Sequence, residues 1–232
     1  MIDIYTPDMD ERTAFSPKIE PFEVYTSRYE KWFEDHKAVY QSELEAIRFI
    51  LPQFKRGLEI GVGTGRFSQP FGVQYGIDPA RNALKLARAR EIEAVQGVGE
   101  VLPYADNSFD LIFIVTTICF FVDLAASLIE AFRVLKPGGS IVIGFIDRDS
   151  TLGRLYNEKR ETSPFYASAK FYGVDEVVEF LSRNGFVNLT FAQTIYKSLE
   201  EIKKAEPVTQ GYGEGSFVVV CARKPNSIFQ VF

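Results

Sequence analysis

Hydrophobic and polar positions alternate along the central part of this chain in two rhythms. Between about residue 57 and residue 146, short apolar runs alternate with stretches in which apolar residues recur every three or four positions. Short apolar runs are typical of buried strands, whereas the three-to-four-residue spacing is typical of amphipathic helices. Alternation of strands with helices predicts an α/β fold built on a parallel sheet with right-handed crossovers.

The turn residues between these runs set the predicted boundaries. Five strands are expected in the alternating region, and two more follow a predicted helix at 174–184. Because no helical crossover is expected between the last two strands, they are predicted to pair as an antiparallel hairpin at the sheet edge. The result is a seven-stranded, mostly parallel sheet. Its predicted strands are 57–62, 73–77, 93–97, 110–116, 140–146, 187–196 and 216–223.

The chain before the first strand follows other patterns. Residues 1 to about 26 contain prolines and little periodicity, which predicts an extended arm. Ser27 and Ser42 each precede a glutamate by three positions, so a capping box is predicted to start a helix at each serine. We therefore predict an N-terminal arm with helices at 1–52 and a main domain at 53–232, within one structural unit.

Composition narrows the classes of function. The 232-residue chain has a net charge of −5 and no block of five basic residues, which disfavours a nucleic-acid partner. No apolar run reaches the ~18 residues of a membrane span. With two cysteines and one histidine, neither a disulfide framework nor a His-rich metal site is expected. These features predict a cytoplasmic protein without a metal or a membrane partner.

The densest chemical signal is the run G-L-E-I-G-V-G-T-G-R at 57–66. Gly61, Gly63 and Gly65 follow a predicted strand, and glycines there allow a sharp turn and close approach of a ligand. Such a turn at the carboxyl end of a parallel strand is where open α/β sheets bind nucleotide-like ligands. A dinucleotide fingerprint would need its third glycine at position 66, where Arg66 stands. A tight turn without a ligand is the alternative.

Asp78 is the second signal, at the end of the second predicted strand. A carboxylate there can accept hydrogen bonds from both hydroxyls of a ribose. It can equally cap the following helix, with Pro79 at the first helical position. Both interpretations are compatible, because each uses a different carboxylate oxygen.

Taken together, these segments resemble class I S-adenosylmethionine-dependent methyltransferases. The run E-x-G-x-G-x-G is similar to the first motif of that family. The run G-V-G-E-V-L-P-Y-A-D-N-S-F-D at 97–110 is similar to its segment after the third strand, and F-R-V-L-K-P-G-G at 132–139 to the segment before the fifth. The resemblance covers residues 57–146 and implies a three-layer Rossmann-like methyltransferase fold with an N-terminal helical lid.

The resemblance also implies which residues bind S-adenosylmethionine, the cofactor that leaves as S-adenosylhomocysteine. The glycine loop would surround the methionine end, Asp78 the ribose, and the segment from Val98 the adenine. Val98 stands where the family commonly has an acid, so backbone groups near Gly99 are expected to recognise adenine instead. The implied cofactor residues are Glu59, Gly61, Gly63, Gly65, Asp78, Pro79, Val98, Gly99, Glu100 and Thr116.

The residues that would act on the acceptor are less defined by the sequence. Many small-molecule methyltransferases have a histidine pair after the fourth strand, but this chain has Cys119 and Phe120 there. His36 and Thr117 are the remaining catalytic candidates. Substrate candidates lie on the predicted first helix and in the segment 148–171, which is predicted to be irregular: Tyr29, Trp32, Arg148, Tyr156 and Tyr166. Simple core packing, or a solvated charged surface, would explain these five equally.

These observations predict methyl transfer to a small-molecule acceptor by SN2 displacement, in a monomer or a homodimer. A non-catalytic S-adenosylmethionine-binding or regulatory subunit is one alternative. An NAD-dependent oxidoreductase is another, and the position of Gly65 disfavours it. The sequence leaves the acceptor atom, O, N, S or C, open.

Overall fold

A computed structural model describes residues 15–226 as an α/β fold around one sheet. The strand order is β3-β2-β1-β4-β5-β8-β6-β7, parallel from β3 to β5 and antiparallel from β5 to β7. The strands are β1 Gly57–Ile60, β2 Tyr75–Asp78, β3 Glu93–Gln96, β4 Phe109–Val115, β5 Leu135–Ile146, β6 Val187–Thr194, β7 Thr209–Gln210 and β8 Phe217–Arg223. The predicted fold class is confirmed, including the antiparallel C-terminal strands.

The predicted number of strands is wrong by one. The eighth strand, β7, consists of two residues within a polar segment and pairs with Ala192 and Gln193 of β6. A strand of two residues is too short to show an alternating pattern of apolar residues. It is defined only by its backbone pairing with β6.

Helices cover both faces of the sheet and make three layers. They are α1 Glu20–Val24, α2 Thr26–Asp35, α3 Lys37–Ile50, α4 Ser68–Phe71, α5 Arg81–Ala89, α6 Leu124–Val134, α7 Thr151–Glu158 and α8 Val174–Arg183, with 3-10 turns at Ile118–Phe120 and Arg160–Thr162. Along β4, Ile112 and Ile114 face the core under α6 and α8, whereas Phe113 faces the core under α3. In the part of the chain that the structure describes, no helix is long and apolar enough to cross a membrane.

The N-terminal region differs from its prediction in three ways. Residues 20–24 form α1 within the predicted extended arm, whose residues 1–14 lie outside the described chain. Neither predicted capping box exists, because Ser27 and Ser42 lie inside α2 and α3. The second helix begins at Lys37 and not at Ser42, and the backbone of His36 separates it from α2.

Helix α3 is fixed to the C-terminal part of the sheet. It packs against β6 and β8. The buried hydroxyl of Ser42 donates to the carbonyl of Ala38 at 2.8 Å and accepts from the backbone N–H of Glu206 at 2.9 Å. The proposed boundary at residue 52 stays a prediction.

Candidate functional site

A cavity of about 430 Å³ lies at the carboxyl ends of β1, β2, β4 and β5. Its floor consists of the loops that follow these strands. Its walls and roof come from α1, α2, α3, α7 and the chain at 163–172. This is the end of an open α/β sheet where ligands generally bind.

The glycine loop has two functions that the structure separates. Gly61, Gly63 and Gly65 all have a positive φ, at 75°, 50° and 84°. A side chain at Gly61 would collide with Thr117 and one at Gly65 with Ile92, so these two glycines are needed for packing. At Gly63 an added Cβ would meet nothing within 4 Å, so here the backbone is open toward the cavity. A ligand can therefore approach the loop most closely at Gly63.

Asp78 connects the end of β2 to the glycine loop. One carboxylate oxygen accepts from the backbone N–H of Gly63 and the other from that of Ala80, both at 2.8 Å. Burial raises the pKa of Asp78 to about 6. An ionised carboxylate accepts about four hydrogen bonds, so two remain for hydroxyls in the cavity. The prediction that Asp78 caps the next helix is wrong, because α5 begins at Arg81 after Ala80.

The predicted adenine segment lines the same cavity. Val98 is half-buried, while Gly99 and Glu100 are buried beside it. The carboxylate of Glu100 accepts from the backbone N–H groups of Val122 and Asp123, at 2.8 and 3.2 Å. Its side chain therefore holds the loop after β4 and leaves the backbone of this segment to face a ligand.

Two of the predicted cofactor residues lie behind the cavity wall. Glu59 is buried in β1, where its carboxyl accepts a hydrogen bond from the hydroxyl of Ser68. Burial raises the pKa of Glu59 well above its usual value, despite that hydrogen bond. Gly65 packs against Ile92 and Ala87. Both residues support the loop from beneath, and neither lines the cavity.

The loop after β4 carries backbone strain next to the ligand space. Thr116 lines the cavity with a φ of 52°, an uncommon conformation for a β-branched residue. Strain of this kind concentrates at functional sites. The hydroxyl of Thr117 lies 2.9 Å from the carbonyl of Val115 and 3.2 Å from that of Gly61, so it joins this loop to the glycine loop. These contacts favour a structural role for Thr117.

Aromatic rings also line the cavity. Four of the substrate candidates are among its lining residues: Tyr29, Trp32, Tyr156 and Tyr166. Tyr156 and Tyr166 stack with their centroids 5.0 Å apart. Burial raises the pKa of Tyr29, Tyr156 and Tyr166, so all three remain neutral phenols. Four further aromatic residues that line the cavity were not predicted as site residues: Phe22, Phe120, Phe165 and Phe171.

Two candidates are not brought to the cavity. The ring of His36 stacks on Trp32 at 4.7 Å, and its Nδ1 lies 3.0 Å from the Trp32 carbonyl. Arg148 forms ion pairs with Asp149 and Glu176. Neighbouring residues hold both side chains, and neither side chain lines the cavity.

Glu43 is a polar residue of the cavity wall that was not among the predicted site residues. It lies one turn after Val39 on the inward face of α3 and is only 4% exposed. Its Oε2 is buried without a hydrogen-bond partner among the described residues. Burial raises the pKa of Glu43 to about 8. A signal was present in the sequence, because Val39, Glu43 and Ile47 share one helix face at four-residue spacing.

Other reactive groups add little to the site. Cys119 also lines the cavity, and burial raises the pKa of its thiol to about 12, so the thiol stays protonated at neutral pH. Within residues 15–226, no group of three or more His, Cys, Asp or Glu side chains is arranged to hold a metal ion.

Comparison with known proteins agrees with this geometry. The methyltransferase domain family matches residues 58–143. An uncharacterised protein of Methanocaldococcus jannaschii is 45% identical over 204 residues, which span 88% of this chain and 98% of that protein. A solved structure from Thermotoga maritima, described as an S-adenosylmethionine-dependent methyltransferase and possible histamine N-methyltransferase, is 42% identical. It aligns with a TM-score of 0.87 over 89% of this chain and 100% of its own.

A more distant structure shares the fold. Phosphoethanolamine N-methyltransferase 2 of Haemonchus contortus, solved with S-adenosylhomocysteine, is 19% identical with a TM-score of 0.57. The match covers 80% of this chain and 52% of that one.

Proposed function

Because the chain belongs to the S-adenosylmethionine-dependent methyltransferases, we propose that it moves a methyl group to a small-molecule acceptor bound in the cavity. S-adenosylmethionine is the cofactor and supplies a methyl group activated on a sulfonium sulfur. The proposal rests chiefly on one observation. A single cavity joins the open backbone at Gly63 and the carboxylate of Asp78 to an aromatic wall with no obvious cofactor role.

The residues of the cavity floor fit an adenosine-containing cofactor. We assign Asp78 to the ribose hydroxyls, the backbone of Gly61 and Gly63 to the methionine end, and Val98 with Gly99 to the adenine. Pro79, Glu100 and Thr116 complete this side of the cavity. Each assignment uses a group that faces the cavity in the absence of any ligand.

The aromatic wall supports a small acceptor. A cavity of about 430 Å³ under α1 and α2 has the size of a small-molecule site. Tyr29, Tyr156 and Tyr166 can orient a flat or cationic acceptor and exclude water from the reacting atoms. For SN2 transfer from a good leaving group, such alignment can supply most of the reduction in the barrier. The net charge of −5 disfavours a nucleic-acid acceptor.

The first experiment is calorimetric titration of the protein with S-adenosylhomocysteine and, separately, with NADH. We expect S-adenosylhomocysteine to bind and NADH not to bind. The reverse result would exclude the proposal in favour of an oxidoreductase.

The second experiment follows labelled methyl groups from S-adenosylmethionine into a small-molecule extract of cells. Histamine is the first pure acceptor to try, because the Thermotoga maritima relative is described as a possible histamine N-methyltransferase. We expect one labelled product. Tight binding of S-adenosylhomocysteine without transfer to any acceptor would indicate a non-catalytic cofactor-binding subunit instead.

A further inference from the structure

The cavity contains a carboxyl group that no part of the described chain satisfies. Glu43 is 4% exposed, and its Oε2 lacks a hydrogen-bond partner among residues 15–226. Burying an unpartnered carboxyl costs several kcal/mol. In native proteins such a group calls for a partner, which can be a ligand, an ion, an ordered water or a reacting group.

No cation of the described chain compensates Glu43. Lys18 and Arg28 also line the cavity, but burial alone governs the pKa of Glu43, which no basic side chain lowers. The side chains of Arg66 and Arg90 form ion pairs with Glu30 of α2, at N···O distances of 2.8 and 2.6 Å. The cavity is lined by the carboxylates of Asp78 and Glu100, which accept backbone hydrogen bonds, and by Glu43, which has no basic side chain paired with it within the described residues.

The surroundings of Glu43 favour a cation. Tyr29, Tyr156 and Tyr166 lie on the same wall, and their phenol groups make no hydrogen bond within the described residues. Aromatic faces attract ammonium groups within about 6 Å of the ring centroid. Phenol oxygens can in addition accept hydrogen bonds from an ammonium.

We propose that the acceptor is an amine, and that Glu43 binds its ammonium form within the aromatic wall and accepts a proton from it before methyl transfer. This inference rests on the proposed function and names its acceptor atom as nitrogen.

The proposed step balances as follows. The ammonium loses one proton to a carboxylate oxygen of Glu43, which leaves a neutral amine with a free electron pair. That pair forms the new N–C bond to the methyl carbon while the C–S bond breaks, and its electrons return to sulfur. The products are a methylated ammonium, S-adenosylhomocysteine and a protonated Glu43, which releases its proton when the product leaves.

The raised pKa of Glu43 suits this transfer. An alkylammonium has a pKa near 10, so an ordinary carboxylate would be a poor acceptor for its proton. Burial raises the pKa of Glu43 to about 8 in the free protein, closer to that of the ammonium than the ordinary value of 4.5. An ammonium bound beside Glu43 favours its carboxylate form, which is the form that accepts the proton.

The test compares Glu43→Gln with Glu45→Gln. Glu45 lies on the same helix but is exposed and paired with Arg48 at 2.9 Å, which makes it a matched control. Each full-length variant is assayed for labelled transfer into the small-molecule extract, and the methyl is located by mass spectrometry. Binding of S-adenosylhomocysteine and thermal unfolding are measured in parallel.

We expect the methyl on nitrogen and a loss of roughly 100-fold in kcat/KM for Glu43→Gln, as for removal of one partner of a buried ion pair. Binding of S-adenosylhomocysteine should be retained and thermal stability should not fall, and Glu45→Gln should behave like the wild type. A methyl on oxygen, sulfur or carbon would overturn the inference, as would full activity of Glu43→Gln.

Two further results are equally decisive. If Glu43→Gln loses cofactor binding in proportion to activity, Glu43 binds the ammonium of the cofactor rather than the acceptor. If the wild type binds S-adenosylhomocysteine but methylates nothing in the extract, the proposed function itself fails, and this inference fails with it.

Discussion

At the scale of single residues, Asp78 combines a structural role with a proposed role in binding the cofactor. It holds Gly63 and Ala80 in place, and we assign it to the ribose. Asp78→Asn keeps the shape of the side chain but loses the charge, so we predict tenfold or weaker binding of S-adenosylhomocysteine, about 1.5–3 kcal/mol. Calorimetric titration measures the change. A variant that binds as tightly as the wild type while unfolding more easily would show that Asp78 only organises the loop.

A substitution at Val98 is predicted to strengthen the binding of S-adenosylhomocysteine, whereas the one at Asp78 weakens it. It is half-buried and lines the cavity next to Gly99, at a position where the family that the sequence resembles commonly has an acid. Val98→Asp should tighten binding of S-adenosylhomocysteine about tenfold, because a carboxylate can accept a hydrogen bond from the adenine amino group. Val98→Asn is the matched control without charge. Weaker binding by Val98→Asp would place the adenine elsewhere.

Residues differed in how well the sequence indicated their roles. Gly63 and Asp78 could be identified because turn geometry and the end of a strand restrict the residue types that fit. Glu43 was not predicted, although it shares a helix face with Val39 and Ile47, because an acid on a helix is normally solvated. Only the packing of α3 against the aromatic wall turns it into a buried group. The positions of His36 and Arg148 were missed for a related reason, since nearby partners hold both side chains.

At the scale of elements, an ion-pair cluster holds α2 over the glycine loop. Glu30 of α2 pairs with Arg66 and Arg90, and all three side chains are less than one-fifth exposed. We predict that Glu30→Gln lowers the free energy of unfolding by about 1–3 kcal/mol, because both arginines lose their shared partner. Asp35→Asn, which breaks an exposed pair with Lys31, should cost at most about 0.5 kcal/mol. Urea denaturation distinguishes the two.

The pH dependence of this effect has a defined sign. Burial opposes ionisation of Glu30, but hydrogen bonds from Arg66 and Arg90 outweigh it and hold the pKa below the usual 4.5. The stabilisation is therefore complete above about pH 4.5 and is lost as the pH falls through the lower folded-state pKa. A difference between wild type and Glu30→Gln that persists at low pH would contradict the electrostatic origin.

The elements that sequence patterns missed share a cause. The strands and helices from β1 to β5 were predicted because apolar periodicity and turn residues coincide there. Helix α7 was missed because its short sequence contains Gly153 and many polar residues. The Ser150 hydroxyl, which accepts from the Gly153 N–H at 3.0 Å, starts this helix. This cap is a local contact between residues three apart, but a single serine does not by itself predict a helix.

At the scale of the whole molecule, acids whose pKa is raised by burial, among them Glu43, Asp78 and Glu59, make stability fall as the pH rises. Burial raises the pKa of Glu43 to about 8 and that of Asp78 to about 6, and raises that of Glu59 as well. The folded state thus binds more protons than the unfolded state. Each contribution is present below the unfolded pKa and is lost as the pH rises through the folded pKa.

We therefore predict that the ligand-free protein becomes less stable between about pH 4.5 and pH 8. Glu43→Gln should reduce this loss by up to about 4 kcal/mol. Tyr29, Tyr156 and Tyr166, which share the wall with Glu43, remain neutral over this range and do not mask the effect. Urea denaturation at several pH values measures it. Equal pH profiles for wild type and variant would show that Glu43 is solvated and has an ordinary pKa.

The link between Ser42 and Glu206 has a consequence for how the molecule forms during synthesis. It closes a loop of 164 residues, and contacts between such distant segments form late in folding. The glycine loop and Asp78 depend on neighbours that all precede residue 147, so they can assemble while the ribosome is still at work. Helix α3, with Glu43, acquires its partners on β6 and β8 only when nearly the whole chain has emerged. We therefore expect the half of the cavity assigned to the cofactor to form first, and the half proposed to bind the acceptor to be completed last.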